Sequence, residues 1–188
     1  LTASQRRNQS CAVLSLRCGV SRCLLPGDSN RKVMARLNPD ESMRWDIVIA
    51  PHHGGNIGSS GKNDWDWFVY EATKKPDYMI VSAGSKNPHG HPTDDVIASC
   101  RENDCKILCT ELTPKCYQPI NSAIADPPFN RSPDSYGSSK ARNASCCFGT
   151  IIIEYYGDAY SVKSFSRMRS AISNLYKKNT DFTPQCLI

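Results

Sequence analysis

The sequence predicts one α/β domain in which strands alternate with helices along the chain. Its 188 residues suit a single domain with its own core. The composition, 39% hydrophobic and 22% charged, is that of a globular protein. Short apolar runs alternate with segments whose apolar residues recur at helical spacing. We therefore expect one domain over residues 1–188, with a Pro-, Ser- and Asn-rich insertion at about 111–145.

Seven short apolar runs predict strands, because each is bounded by turn-forming residues such as Gly, Pro, Asn or Asp. In chain order these runs are residues 11–17, 20–25, 46–50, 78–82, 106–109, 149–155 and 159–162. A short turn at Cys18-Gly19 joins the first two runs. Gly157-Asp158 lies between the last two and predicts a hairpin.

Four other segments predict helices, because their apolar residues recur every three or four positions. Ser29 or Asn30 can cap the first of these, and Thr93 can cap the third. Their apolar positions are Val33, Met34 and Leu37; Trp65, Phe68, Val69 and Ala72; Val96, Ile97 and Cys100; and Phe165, Met168, Ile172 and Leu175. We expect the aromatic residues of the second helix to pack in the core rather than to line a ligand site.

Charge and cysteine content narrow the class of protein further. No apolar run is long enough to span a membrane, and no signal peptide is visible. The net charge of +5 suits an anionic partner such as nucleic acid, although an uneven surface charge without functional meaning is equally consistent. Ten cysteines can indicate a secreted disulfide framework. Because several of them lie inside apolar runs, where thiols pack as small hydrophobes, we favour the reducing cytoplasm.

Side chains able to bind metal concentrate at strand ends. The four histidines form two pairs, His52-His53 and His89-x-His91, and each pair follows a predicted strand, as Asp28 does. Loops at strand ends are where scaffolds of this class place functional residues. Imidazole and carboxylate groups suit zinc, or manganese where oxygen ligands dominate. Adjacent side chains of a strand-like segment point to opposite faces, so we expect one of His52 and His53 to bind metal and the other to contact substrate or donate a proton.

These motifs, in this order, resemble the second half of the metallo-β-lactamase domain of ComEC-like competence proteins. The matching strings are Asn8-Gln9-Ser10, LLPGD at 24–28, APHHGG at 50–55, IVSAG at 80–84, NPHGHP at 87–92, Cys109-Thr110 and GTIIIEYYGDAY at 149–160. PHHGG and GHP after a Gly-Asp turn form a specific signal, whereas any one of these motifs alone is weak. The resemblance implies half of an αββα sandwich, with a mixed β-sheet flanked by helices.

The resemblance also implies a role for each candidate site residue. The aspartate of the Gly-Asp turn bridges two metal ions in that fold, which makes Asp28 a metal ligand and a catalytic residue. The histidine pair supplies another ligand, for which we prefer His53 to His52, and His91 is implied as a substrate-binding or acid–base group. Two further residues are assigned to the same pocket: Asn8 and His89. Two zinc ions, with manganese as the alternative, would supply hydroxide at neutral pH.

One motif of the family is missing from this chain. The HxHxDH motif of the first half supplies most of the metal ligands, and the nearest string here, His89-Gly-His91-Pro-Thr-Asp94, follows the Gly-Asp turn instead of preceding it. We therefore expect an incomplete metal site. The missing ligands should come from a partner chain carrying HxHxDH or from an N-terminal segment absent from this sequence, which begins at Leu1.

Three functions stay open on the sequence. The first is a phosphodiesterase or nuclease-like metallohydrolase acting on nucleic acid, which the ligand types and the basic charge favour. The second is a metallohydrolase of a small ester, amide or lactam, because a fold does not fix its substrate. The third is a non-catalytic, partner-binding subunit with a degenerate site. Two transition-metal ions per complex would favour the first two, and none would favour the third.

A separate hypothesis concerns the insertion at about 111–145. Four cysteines flank its two ends: Cys109, Cys116, Cys146 and Cys147. Four thiolates can hold a structural zinc ion that stabilises an irregular loop. The alternative is that these residues are buried or free thiols.

Overall fold

The computed structural model of the chain describes residues 10–37, 43–83, 89–111, 113 and 150–163. In these ranges the elements are β1 (Leu14–Cys18), β2 (Ser21–Leu25), α1 (Arg31–Met34, continued as a 3-10 turn over Ala35–Leu37), β3 (Ile47–Ile49), α2 (Lys62–Asp66, continued as a π-helix over Trp67–Ala72), β4 (Tyr78–Val81), α3 (Asp94–Glu102), β5 (Lys106–Cys109), β6 (Ile152–Tyr156) and β7 (Ala159–Lys163). The seven predicted strands and the first three predicted helices are confirmed. The predicted helix containing Phe165 and almost all of the insertion lie outside the described residues.

Five of the strands form one mixed sheet in the order β1-β2-β3-β4-β5. β1 is antiparallel to β2, whereas β2, β3, β4 and β5 run parallel to one another. Parallel neighbours need a crossover connection, and α1, α2 and α3 supply the three crossovers in turn. The carboxyl ends of β2 to β5 therefore meet at one edge of the sheet, which we call the carboxyl edge. The predicted α/β class is confirmed.

One face of this sheet packs against the three helices. The buried side chains of this layer include Leu24, Val48, Met79 and Ile107 from the strands and Met34, Trp65, Phe68, Val69, Val96 and Ile97 from the helical segments. Trp65, Phe68 and Val69 are 0% exposed, which confirms their assignment to the core. The Trp65 and Phe68 rings meet edge to face, with centroids 5.6 Å apart. Burial of each such side chain contributes about 1.5–3 kcal/mol to stability.

The opposite face of the sheet packs against the hairpin of β6 and β7. The side chains that meet there are Cys23, Ile47, Ile80 and Leu108 from the sheet and Ile153, Tyr155, Tyr160 and Val162 from the hairpin. Tyr160 donates its hydroxyl to Asp77, and Ser21 donates its hydroxyl to the Asp158 carbonyl over 3.3 Å. The described residues thus form three layers: helices, a five-stranded sheet and a two-stranded sheet.

β1, at the edge of the five-stranded sheet, exposes an apolar strip in the described part of the chain. Leu14 and Leu16 are 58% and 53% exposed. They pair with Leu25 and Cys23, whose side chains pack on the hairpin side of the sheet. Since cross-strand partners share a face, the two leucines extend that apolar face beyond the area that the hairpin covers. Among the described residues, the uncovered apolar part of the five-stranded sheet is therefore the strip of Leu14 and Leu16 on β1.

The cysteines of the described ranges behave as small apolar residues. All six are thiols rather than disulfides, and Cys23, Cys100 and Cys109 are buried while Cys11 is half-buried. Burial raises the pKa of the Cys23 thiol to about 11, so this group stays protonated near neutral pH. None of the helices in these ranges is long and apolar enough to cross a bilayer.

Candidate metal centre

Three loops at the carboxyl edge carry the predicted site residues. Asp28 lies in the turn after β2, His52 and His53 lie in the turn after β3, and His91 lies in the loop between β4 and α3. The first two loops are joined directly, because the His52 backbone N–H donates to the Gly27 carbonyl over 3.2 Å. The parallel order of the strands thus brings residues far apart in sequence to one place.

The turn after β3, Pro51–Gly55, is not strand-like. Residues Pro51–Gly54 form a tight 3-10 turn, and the backbone is left-handed at His52 (φ 51°) and His53 (φ 55°). The prediction that this segment is strand-like was therefore wrong, so alternation along an extended strand does not decide how the two imidazoles differ. A left-handed residue with a side chain costs about 1–2 kcal/mol, and strain of this kind is often found at functional sites.

The imidazole of His53 is oriented by a backbone carbonyl. Its Nδ1 lies 2.7 Å from the carbonyl oxygen of Ser82, just beyond β4. A carbonyl oxygen only accepts, so Nδ1 carries the proton and Nε2 carries the lone pair of the neutral ring. Metal-binding histidines are commonly held by such a bond from their other ring nitrogen. The geometry therefore favours His53, through Nε2, as the ligand of the pair.

His52 has a different environment from its neighbour. Its ring is half-buried and lies close to the backbone of Asp28. Burial lowers the pKa of His52, while the charge of Asp28 raises it in part and His53 lowers it further. The ring is thus predominantly neutral near pH 7, and it lies within electrostatic reach of both Asp28 and His53.

The fourth position of the cluster is His91. Burial lowers the pKa of His91, and the charges of His89, His53 and His52 lower it further. The rings of His89 and His91 are stacked, with centroids 5.7 Å apart and planes 20° apart. The other three imidazoles thus lie within electrostatic reach of His91, and we call the four histidines the histidine cluster.

The lowered pKa values of His52 and His91 predict acid-sensitive stability of the metal-free protein. Both folded-state pKa values lie below the unfolded value of about 6.5, so the unfolded chain binds more protons. The free energy of unfolding should hold steady above pH 6.5 and decrease as the pH falls through the folded values. Urea unfolding in chelator between pH 7.5 and 5.5 measures this decrease. In His91→Gln the free energy of unfolding should fall less over this pH range than in the wild type. An equal fall in that variant would show that His91 does not contribute to the acid sensitivity.

The described residues supply only part of a metal-ligand set. Among them, no three His, Cys, Asp or Glu side chains lie together so as to hold a metal ion. Asp28 and His53 offer one carboxylate and one imidazole nitrogen, whereas a zinc ion normally takes four ligands. Cys109 of the structural-zinc hypothesis is buried in the helix-side core. The remaining candidates, Asn8, Cys116, Cys146 and Cys147, lie outside the described residues.

Two groups that shape the site were missed by sequence reasoning, and one was misassigned. The Ser82 carbonyl orients His53, and Gly55 provides the space into which the His91 ring fits. Thr93 stands at the N-cap position of α3 as predicted, but its hydroxyl makes no cap bond and donates instead to the Gly54 carbonyl. The adjacent glycines in the sequence were the available signal, because close backbone approach commonly requires glycine.

A parallel-stranded sheet with polar loops at its carboxyl edge is the class of scaffold that places a binding or catalytic site there. A stretch of 120 residues, 60% of this chain, is 30% identical to the competence protein ComA of Neisseria gonorrhoeae. The match spans 16% of ComA. No protein-family model and no solved structure matches the chain. The similarity to ComA supports a relation to competence proteins.

Proposed function

We propose that this chain contributes one half of a two-metal hydrolase site of the metallo-β-lactamase type, in a competence-related protein that cleaves phosphodiester bonds of nucleic acid. The observation that carries the proposal is that Asp28 and the two histidine pairs lie on loops at the same edge of the sheet, the carboxyl edge. The net charge of +5 suits a polyanionic substrate, and the similarity to ComA favours a competence-related role.

Each site residue has a role that fits its surroundings. The Asp28 carboxylate can bridge two metal ions, and Nε2 of His53 can bind one of them. His52 and His91 are kept neutral by burial, which suits groups that accept a proton or contact substrate rather than carry fixed charge. The metal pair, zinc or manganese, would supply hydroxide at neutral pH and stabilise the attacking and leaving oxygens.

The remaining ligands would come from a segment or partner chain that carries HxHxDH. The exposed apolar strip of β1 supports a contact surface beside the site, because Leu14 pairs with Leu25, only three residues before Asp28. We expect an interface above about 1,200 Å² that is apolar at its centre. Since ligands from both sides share the ions, chelation of the metal should weaken the association.

Size-exclusion chromatography of the chain mixed with a polypeptide segment that carries HxHxDH tests this partner prediction. The expected result is a complex that forms with zinc and dissociates with a chelator. A matched variant, Leu14→Lys together with Leu16→Lys, should prevent the complex from forming even with zinc. A stable 20.9 kDa monomer whose elution changes with neither the segment nor the chelator would instead favour the non-catalytic function.

The assignment of ligands within the histidine pair predicts unequal losses of metal. His53→Ala should weaken zinc binding by the complex by more than about 10- to 100-fold, since changes to groups that only orient ligands already cost that much. His52→Ala should leave more zinc bound, because its ring faces the backbone of Asp28. Equilibrium dialysis followed by metal analysis measures both, with Asp104→Asn, an exposed turn residue before β5, as control. The reverse order of losses would exchange the two roles.

Metal content and a substrate panel separate the candidate functions. Two zinc or manganese ions per complex, with turnover of bis-p-nitrophenyl phosphate and single-stranded DNA, would support the proposal. The same metal content with turnover of esters, amides or lactams only would favour a hydrolase of small substrates. No metal and no turnover would favour a partner-binding subunit. The incomplete ligand set of the described residues is also consistent with that hypothesis.

A further inference from the structure

Thr93 joins two of the loops that carry the histidines. Its backbone N–H donates to the Gly54 carbonyl over 2.9 Å, and its side-chain hydroxyl donates to the same oxygen over 3.2 Å. Gly54 belongs to the turn of His52 and His53, whereas Thr93 follows His91 by two residues. One residue thus holds the loop after β4 against the turn after β3.

The hydroxyl of Thr93 is used for this contact instead of for helix capping. Thr93 has the extended backbone of an N-cap residue, φ −72° and ψ 160°, yet its side chain accepts no bond from the first turn of α3. At the corresponding position of α1, Asn30 does accept a bond from the Val33 N–H over 3.2 Å. The Thr93 side chain therefore contributes to the contact between the loops rather than to the start of its own helix.

The contact between the two loops is unusually close because the turn carries two adjacent glycines. A Cβ atom on Gly54 would lie 2.9 Å from Cβ of Pro92, and a Cβ atom on Gly55 would lie 2.4 Å from Cε1 of His91. The imidazole of His91 thus rests directly on the backbone of Gly55. Its position relative to His52 and His53 depends on how tightly the two loops are held together.

We propose that Thr93 is a positioning residue whose hydroxyl bond to the Gly54 carbonyl holds the His91 imidazole against Gly55, beside the other histidines. The inference rests on the proposed function only for what His91 does. The position of the ring is a property of this chain alone and can be measured without metal, partner or substrate.

Nuclear Overhauser contacts between Hε1 of His91 and the Hα protons of Gly55 report this position, because their intensity decreases steeply with distance. Thr93→Val removes the hydroxyl at constant size and should lose this contact, while Thr93→Ser keeps the hydroxyl and should retain it. Thr73→Val is the matched control. Thr73 is a buried threonine whose hydroxyl donates to the Phe68 carbonyl over 2.8 Å, away from the histidines, so its variant should be less stable and keep the contact.

Two outcomes would overturn the inference: wild-type intensity of the contact in Thr93→Val, or an equal loss in Thr73→Val. If Thr93→Val does not fold, Thr93→Ala removes the hydroxyl without adding an apolar atom and is compared with Thr93→Ser in the same way. In the assembled hydrolase, Thr93→Val should lower kcat and leave zinc content unchanged. A complex without hydrolase activity would count against the proposed function, whereas the Overhauser contact would still decide the role of Thr93.

Discussion

Replacing Asp28 by asparagine should abolish metal-dependent phosphodiester hydrolysis by the assembled complex, lowering kcat by about 10³-fold or more. Removal of a single group that stabilises charge in a transition state already costs about 10²- to 10³-fold, and a bridging carboxylate positions both metal ions and the hydroxide. Asp28 is exposed, so its replacement leaves the core intact. Hydrolysis of bis-p-nitrophenyl phosphate with saturating zinc measures the loss, and metal analysis should show fewer than two ions per complex.

Asp104→Asn is the matched control for this substitution. Asp104 is likewise exposed in a turn, but it lies before β5, at the edge of the sheet opposite to the carboxyl edge. Its backbone is left-handed, φ 57°, a conformation that asparagine also tolerates. This variant should keep full activity and metal content. Retention of activity in Asp28→Asn would remove Asp28 from the metal site, whatever the control shows.

Most of the fold follows from local patterns that the sequence displays openly. Short apolar runs between turn-forming residues located the seven strands of the described residues. The helical spacing of Trp65, Phe68 and Val69 identified core residues that are 0% exposed. These patterns arise from burial, which acts on each element in the same way wherever it lies. Packing of the β6–β7 hairpin on the sheet face opposite to the helices could not be read in this way, because alternation in a strand does not say which partner it meets.

The edge of the sheet that carries Asp28 and the histidines was predictable, but the local geometry of their loops was not. Parallel strands bring their carboxyl ends together, so Asp28 and the histidines could be placed at one edge from strand order alone. The left-handed backbone of His52 and His53 could not be predicted. An apolar run that ends in Pro51 indicates where the strand stops, but not the backbone angles of the turn that follows. Thr93 occupies the predicted N-cap position, but the prediction that its side chain caps the helix was wrong. Its hydroxyl donates to the Gly54 carbonyl of another loop instead of accepting a bond from the helix N–H groups.

Gly55→Ala should displace the His91 imidazole and lower kcat of the assembled hydrolase by about 10²-fold, the loss expected when a reacting group moves by about 1 Å. The backbone at Gly55 is ordinary, with φ −81°, so alanine is not strained there by its backbone. The added methyl group would lie 2.4 Å from Cε1 and 2.8 Å from Nε2 of His91, and 3.0 Å from the His52 carbonyl. Overpacking of this kind should also reduce stability by about 1–3 kcal/mol.

Gly58→Ala separates the loss of stability from the loss of function. Gly58 also lacks a left-handed backbone, and its added methyl group would lie 2.3 Å from a carboxylate oxygen of Asp64, which pairs with Arg31. We expect urea unfolding to show comparable destabilisation in both variants. Only Gly55→Ala should lose the Overhauser contact between His91 and residue 55. Only this variant should also show the decrease in kcat. Equal activity of the two variants, measured per folded molecule, would mean that the position of His91 does not matter for the reaction.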